Sequence, residues 1–231
     1  MQKIFDCSAD ADLLTGLRLA KASLGRTDLA VIPTDTVYGI AANAFSPEAV
    51  QALLDAKGRG RQSPPPVLVS GIQQARALVE IFPEAALNLA ETFWPGPLTM
   101  IFKAHPSLDW DLGETRGTVA LRVPDHKIAL ALIEETGPLA VSSANLTGQP
   151  AATTCQQAFD YLGESVSVYL DAGNSPKGEA STILDMTNLV DSYDEAGNHS
   201  GSGTVKVIRR GALSEAKIRS VIGDLLEANN Q

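Results

Sequence analysis

Cysteine, histidine and aromatic residues are all scarce in this chain. Its 231 residues hold 2 cysteines and 3 histidines, and aromatics make up 5%. Cys7 and Cys155 lie far apart and fit no metal-ligand spacing, so they read as two reduced thiols. His105, His126 and His199 are scattered, which suggests neither a His/Cys zinc site nor a Cys/His nucleophile pair. So few aromatics give no stacking platform for unpaired bases. No stretch approaches the roughly 18 uncharged apolar residues of a membrane span. The start, MQKIFDCSADAD, lacks the apolar core of a signal peptide. A cytoplasmic protein without membrane contact is expected. Two nucleotide signatures are missing as well. Neither GxxxxGK[ST] nor GxGxxG occurs, which argues against a Walker loop and a dinucleotide-binding Rossmann site.

What is present is ordinary globular material. Hydrophobic residues make up 44% and charged residues 19%, enough apolar surface for a packed core. Gly (19) and Pro (13) are plentiful and predict many tight loops. The net charge of −9 argues against tight, charge-driven binding to a phosphate backbone. The cations are nonetheless clustered: Lys57, Arg59 and Arg61, then Lys206, Arg209 and Arg210. Basic groups gathered in an acidic protein suggest a small anionic ligand held in a pocket.

Strand-like and helix-like segments are mixed without strict alternation, which predicts one α/β domain with a twisted, mixed, open sheet and flanking helices. The domain is expected to fill residues 1–231, with its core at about 12–213 and a last helix at about 214–228 capped by Ser214. Strands are expected at 29–33, 67–70, 98–104, 118–124, 139–145, 166–171, 181–186 and 204–210. Helices are expected from Ser46, over 72–81, 83–93, 126–136 and 154–162. Ser46 suits an N-cap, Pro47 the first helical position, and Gly58 a stop. Residues 188–203, rich in Gly, Ser, Asp and Asn, read as an exposed hairpin loop.

Four segments carry candidate chemistry. In PTDTVYG (33–39), Thr34 and Thr36 offer hydroxyls that Asp35 can orient, or the segment is a plain polar turn. In KGRGRQSPPPV (57–67), Lys57 and Arg59 are either a solvated basic helix end or a phosphate grip, and three prolines stiffen the backbone after Ser63. In TVALRVPDH (118–126), Arg122 within a strand must face solvent or a partner. In SSANLTGQPAATT (142–154), Ser143, Asn145 and backbone amides can bind a nucleotide or an amino acid, or simply form a turn.

Taken together, PTDTVYGIAANAF, AKGRGR with PPPVLVS, WPGPLTMIF, TVALRVPDH, SSANLTGQPA, EASTILD and VIRRG resemble, in this order, the YrdC/TsaC family of threonylcarbamoyl-adenylate synthases. The resemblance runs from about Leu29 to Gly211. It implies a single α/β domain with a deep positive cleft. It also implies condensation of L-threonine, bicarbonate or carbon dioxide, and ATP with Mg²⁺ into threonylcarbamoyl-AMP and pyrophosphate. A downstream transferase complex then modifies adenosine 37 of tRNA, and tRNA itself is at most a weak contact. By position, Thr34, Arg122, Ser143 and Ser181 match the L-threonine site, with Arg122 receiving the carboxylate. Lys57, Arg59, Ser63, Thr118, Asn145, Thr153 and Arg209 match the ATP side. Lys57, Arg59, Ser143 and Asn145 are the implied catalytic set, and no residue offers itself as general base.

The sequence departs from the family pattern in places. Gly60 stands where proline often follows the KxR arginine, Ser63 replaces Lys or Asn, and Arg209-Arg210-Gly211 replaces RPG. Arg61 is a candidate to bind phosphate in place of Ser63. The short form, without the linker and second domain of longer members, is expected. The rival readings are a double-stranded RNA-binding module without catalysis, a carbamoyl transferase like the domain found in hydrogenase maturation, and an inactive regulatory relative.

Overall fold

The computed structural model of the protein describes residues 3–176, 178–193 and 199–228. The chain opens with β1 (Ile4–Asp6) and α1 (Asp10–Leu24), then β2 (Ala30–Ile32) and β3 (Gly39–Asn43). Next come α2 (Pro47–Ala56), β4 (Val67–Leu68), α3 (Ile72–Arg76) and α4 (Glu84–Phe93). The middle holds β5 (Leu98–Lys103), β6 (Thr118–Arg122), α5 (Lys127–Thr136), β7 (Leu139–Ser143) and α6 (Cys155–Leu162). The rest is β8 (Val168–Asp171), β9 (Thr182–Asp185), β10 (Val190–Tyr193), β11 (His199–Ser202), β12 (Lys206–Arg209) and α7 (Glu215–Ile222).

Ten of the described strands form one open sheet in the order β1-β8-β2-β3-β7-β4-β6-β5-β9-β12. It is mixed. The pairs β1–β8, β2–β8, β4–β6 and β5–β9 are parallel, and the other five are antiparallel. Side chains in a strand alternate between faces, so each strand feeds two layers. On β2, Val31 joins the core under α2 and α6, whereas Ala30 and Ile32 join the core under α1 and α5. On β5, Leu98, Met100 and Phe102 enter the third core with α4 and α7, and Thr99 and Ile101 face a cavity.

Helix α2 shows how local sequence sets an element. Ser46 Oγ accepts from the Ala49 N–H at 3.2 Å, Pro47 opens the helix, and Val50, Leu53 and Leu54 are wholly buried. Gly58 at φ +60° turns the chain out of the helix. That turn delivers Lys57 and Arg59 to the sheet.

Several expected boundaries moved. The helix expected over 72–81 ends at Arg76, because Val79 bridges to Ala104 and the Glu80 N–H bonds the Lys103 carbonyl. The last helix, expected to run to 228, ends at Ile222. Gly223 lies at φ +54°, and the residues beyond it pair with Val205 through Val205 N–H to Leu225 O and Glu227 N–H to Val205 O. Ser214 makes no side-chain cap there. The segment 188–203 contains the two-stranded hairpin β10–β11, and its tip, 194–198, lies outside the described residues. Asp191 in that hairpin accepts from the Glu84 N–H at 2.9 Å and so caps α4.

Strand β12 closes one edge against β9, and Gly211 ends it. A Cβ at Gly211 would sit 2.2 Å from the Ala180 carbonyl oxygen and 2.6 Å from the Ser181 carbonyl. Gly211→Ala is therefore expected to cost about 1–3 kcal/mol in urea denaturation by forcing the two backbones apart.

Candidate active site

A cavity of about 280 Å³ opens on the sheet face opposite α4 and α7, spanning from the β2–β3 turn to β12. Period-two alternation places its side chains. Thr118, Ala120 and Arg122 of β6 point into it, as do Thr99 and Ile101 of β5. Of the residues singled out in the sequence, Thr34, Arg59, Thr118, Arg122, Ser143, Ser181 and Arg209 line it. Lys57, Ser63, Asn145 and Thr153 do not.

Arg122 is 7% exposed and already engaged. Its Nη2 meets Asp35 Oδ1 at 2.5 Å, its Nη1 donates to Thr36 Oγ1 at 3.0 Å, and its Nε donates to the Gly96 carbonyl at 2.9 Å. Burial pushes this guanidinium below its ordinary value, and Asp35 opposes that. Five N–H groups less three bonds leave one hydrogen on each terminal nitrogen. The hydroxyls beside it form a directed chain. Thr34 Oγ1 donates to the Val37 carbonyl at 2.6 Å, so the 3.0 Å contact between the two threonine hydroxyls is donated by Thr36. Asp35 thus anchors Arg122, whereas the sequence suggested that it orients the threonines.

Arg59 and Arg209 differ from Arg122. Among the described residues neither pairs with a carboxylate. Arg59 Nη1 donates to Ser142 Oγ at 2.9 Å, and its other nitrogens are left to the cavity. Arg209 donates through Nε and Nη2 to the Ser181 carbonyl at 3.1 and 2.8 Å, and Nη2 also reaches Ser181 Oγ at 3.1 Å. Ser181 Oγ lies 2.8 Å from Thr99 Oγ1. Burial lowers both guanidiniums from their ordinary value, and the charge of Arg209 adds to the lowering at Arg59. Two cations that repel one another along one wall, Arg59 partly buried and Arg209 more exposed, make a receptor for a multiply charged anion.

Lys57 lies behind this wall. It is 3% exposed, and its Nζ donates to the Ser143 carbonyl at 2.5 Å and the Asn145 carbonyl at 2.6 Å. Burial, then the nearby Arg59, lowers its pKa to about 8. Asn145 Nδ2 donates to the Leu146 and Gln149 carbonyls at 2.9 and 2.7 Å, closing the loop after β7. Ser63 stands just before Pro64, Pro65 and Pro66, which do line the cavity. Thr153 Oγ1 bonds Gln157 Oε1 at 3.1 Å in the lead-in to α6. Arg61, expected as a phosphate ligand, is turned to Asp111 instead.

Thr36, Ser142 and the prolines lie in segments the sequence singled out and do line the cavity, whereas Thr99 was passed over. Parity was the available signal for Thr99, which alternates with Leu98, Met100 and Phe102. Burial raises Cys7 to about 11 and Cys155 to about 12, which leaves neither a ready nucleophile. Among the described residues no group of three His, Cys, Asp or Glu forms a metal cluster. No helix among them is long and apolar enough to cross a membrane.

The family model described as "Telomere recombination", Sua5/yciO/yrdC, matches residues 23–193. The chain belongs to the Sua5/YciO/YrdC family. A Mycobacterium leprae member is 46% identical over 223 residues, covering 96% of this chain and 95% of that one. The Bacillus subtilis member, named threonylcarbamoyl-AMP synthase, is 35% identical over 208 residues, covering 89% of this chain and 56% of its own length. Pyrococcus abyssi Sua5, solved in complex with L-threonine, superposes with a TM-score of 0.83 at 30% identity, over 98% of this chain and 63% of that one. The mixed sheet and its helices are thus a family property, and the chain spans little more than half of the longer members.

Two measurements probe this family site without substrate. Asp35→Ala leaves Arg122 buried without its counter-ion and is expected to lower unfolding free energy by roughly 3–5 kcal/mol. Lys57 has its folded pKa, about 8, below its ordinary value of 10.5, so between those values the unfolded chain binds more protons. Wild type should therefore gain stability relative to Lys57→Met as pH rises through that window. A flat difference would mean that the fold does not lower the pKa of Lys57.

Proposed function

We propose that the protein is an L-threonylcarbamoyl-adenylate synthase. It condenses L-threonine, bicarbonate or carbon dioxide, and ATP into threonylcarbamoyl-AMP and pyrophosphate. The observation that carries the reading is the pair Arg59 and Arg209, both facing one cavity with no carboxylate partner among the described residues. Membership of a family whose members are named for this activity, and the threonine complex of a 30% identical relative, support it.

In this reading the neutral threonine amine attacks the carbon donor and forms a C–N bond. With carbon dioxide a C=O π bond opens and the nitrogen proton passes to water. With bicarbonate a C–O bond breaks and water leaves, giving the carbamate either way. A carbamate oxygen then attacks the α-phosphorus, and the bond to the β-phosphate breaks as pyrophosphate leaves. Arg59 and Arg209 hold the phosphate oxygens as charge shifts toward the leaving group. Mg²⁺ arrives as the ATP chelate and is part of the substrate. Thr34, Arg122, Ser143 and Ser181 form the threonine side. Arg122 offers the carboxylate its two remaining terminal hydrogens, and the Asp35 ion pair holds the fork still. Thr118 lies on the ATP side, with Ser63 and Thr153 at its margin. Lys57 acts from behind by holding the Ser143 and Asn145 carbonyls, and Asn145 closes the loop that follows through the Leu146 and Gln149 carbonyls. Holding three reactants in one cavity supplies the remaining acceleration. The product passes to a threonylcarbamoyl-transferase complex that modifies adenosine 37 of tRNA.

The test is pyrophosphate release from ATP, Mg²⁺ and bicarbonate, with and without L-threonine. Wild type should release it only with threonine, and Arg59→Ala should lower kcat/KM by about 100-fold or more. No threonine-dependent release from folded wild type would overturn the synthase reading and leave the RNA-binding alternative to be assayed.

A further inference from the structure

Two loops meet at one rim of the cavity. One, 57–66, carries Arg59 and the prolines of the wall. The other joins β5 to β6, contributes Leu112 and Thr115, and leads into Thr118 at the start of β6. Their contact is dense for a surface. Arg61 Nη2 alone meets both oxygens of Asp111, at 2.6 and 2.7 Å, and its Nη1 reaches Gln51 Oε1 on α2 at 3.2 Å. The Arg61 carbonyl accepts from the Glu114 N–H at 2.9 Å, and Asp111 Oδ1 accepts from the Gly113 N–H at 3.0 Å. Gly113 has φ +105°, and a Cβ there would lie 2.7 Å from the Arg61 carbonyl oxygen, so only glycine permits this approach. One residue before Asp111, Trp110 stacks on Phe45 just before α2, with ring centroids 5.4 Å apart.

This fastening bears on the cavity directly. Leu112, 2% exposed, lies between Asp111 and Gly113 and faces both the cavity and the core. The Thr115 N–H bonds the Gly113 carbonyl, and Thr118 Oγ1 donates to the Thr115 carbonyl at 2.8 Å. A shift of Asp111 therefore propagates to Thr118. On the other side, Arg61 stands two residues from Arg59. Arg61 and Asp111 are each 43% exposed, so their charges contribute little to overall stability. With Nη2 astride both oxygens of Asp111 and Nη1 on Gln51, the guanidinium is nonetheless held in one direction, and it fixes where the two loops lie.

We propose that Arg61 and Asp111 are positioning residues that clamp the Arg59 loop to the Leu112–Thr118 wall and so set the ATP side of the cavity, leaving the threonine side alone. The ATP part of this inference rests on the synthase reading above. The clamp itself does not.

The experiment compares wild type, Arg61→Ala, Asp111→Asn and the double variant, with Lys21→Ala as control. Lys21 pairs with Glu135 at 3.0 Å at an exposed site absent from the cavity lining. Steady-state pyrophosphate release gives KM for ATP and for threonine, and hydrogen exchange without ligand reads 57–66 and 108–118. Each single variant is expected to raise KM for ATP about fivefold, with KM for threonine unchanged. Exchange should quicken about fivefold in both segments together, and the double variant should be no worse than either single one. The control should change nothing. A KM for ATP within twofold of wild type, or equal rises in both KM values, would overturn the positioning role. Exchange that quickens in neither or only one segment would overturn the clamp. A wild type without turnover would sink the synthase reading and the ATP part with it, while exchange would still decide whether the pair joins the loops.

Discussion

Three guanidiniums share one cavity, and among the described residues only one of them has an internal counter-ion. That allocation of charge organises the site. Asp35 neutralises Arg122 deep in the wall, where an unpaired cation would be costly. Arg59 and Arg209 are left facing the space, held by hydroxyl and carbonyl oxygens. Those partners orient a cation without cancelling its charge. The protein is acidic overall, with a net charge of −9, so this concentration is local and favours a small anion over a long phosphate backbone.

The sheet makes the allocation possible. Arg122 sits on a strand whose alternate residues, Val119 and Leu121, are in the core. Its own side chain therefore has to emerge on the cavity face. Arg209 is held on β12 by the antiparallel pairing with β9, whose first neighbour, Ser181, supplies both of its acceptors. Arg59 comes from the other direction, off the glycine turn that ends α2. Three independent elements thus bring their cations to one place, and Lys57 braces the back of the wall through two carbonyls.

Much of this was legible in the sequence, for identifiable reasons. Helix α2 has a cap, a first-turn proline and a full apolar stripe, so its start and its core face could be read directly. Strands β5 and β6 alternate cleanly, and Arg122 broke the pattern visibly. Helix α1 was missed because its buried face is made of small residues, Gly16, Ala20 and Ser23, beside Leu24. Strand β3 was hidden inside a motif that reads as a turn. Helix ends at 76 and 222 depended on pairing with distant residues, which local propensity does not register. In the site, the residue types were legible and their partners were not. Asp35 could be seen to be important, but its bond to Arg122 spans 87 positions. Lys57 could be seen as a cation near phosphate chemistry, but its burial behind the wall is a tertiary fact.

The most direct test traces the atoms. Wild type would be incubated with ATP, Mg²⁺, L-threonine and ¹³C-bicarbonate, and the products resolved by mass spectrometry. The account predicts one labelled species containing threonine, the labelled carbon and AMP, formed in step with pyrophosphate. Pyrophosphate without that labelled species, or AMP joined to threonine with no labelled carbon, would contradict it.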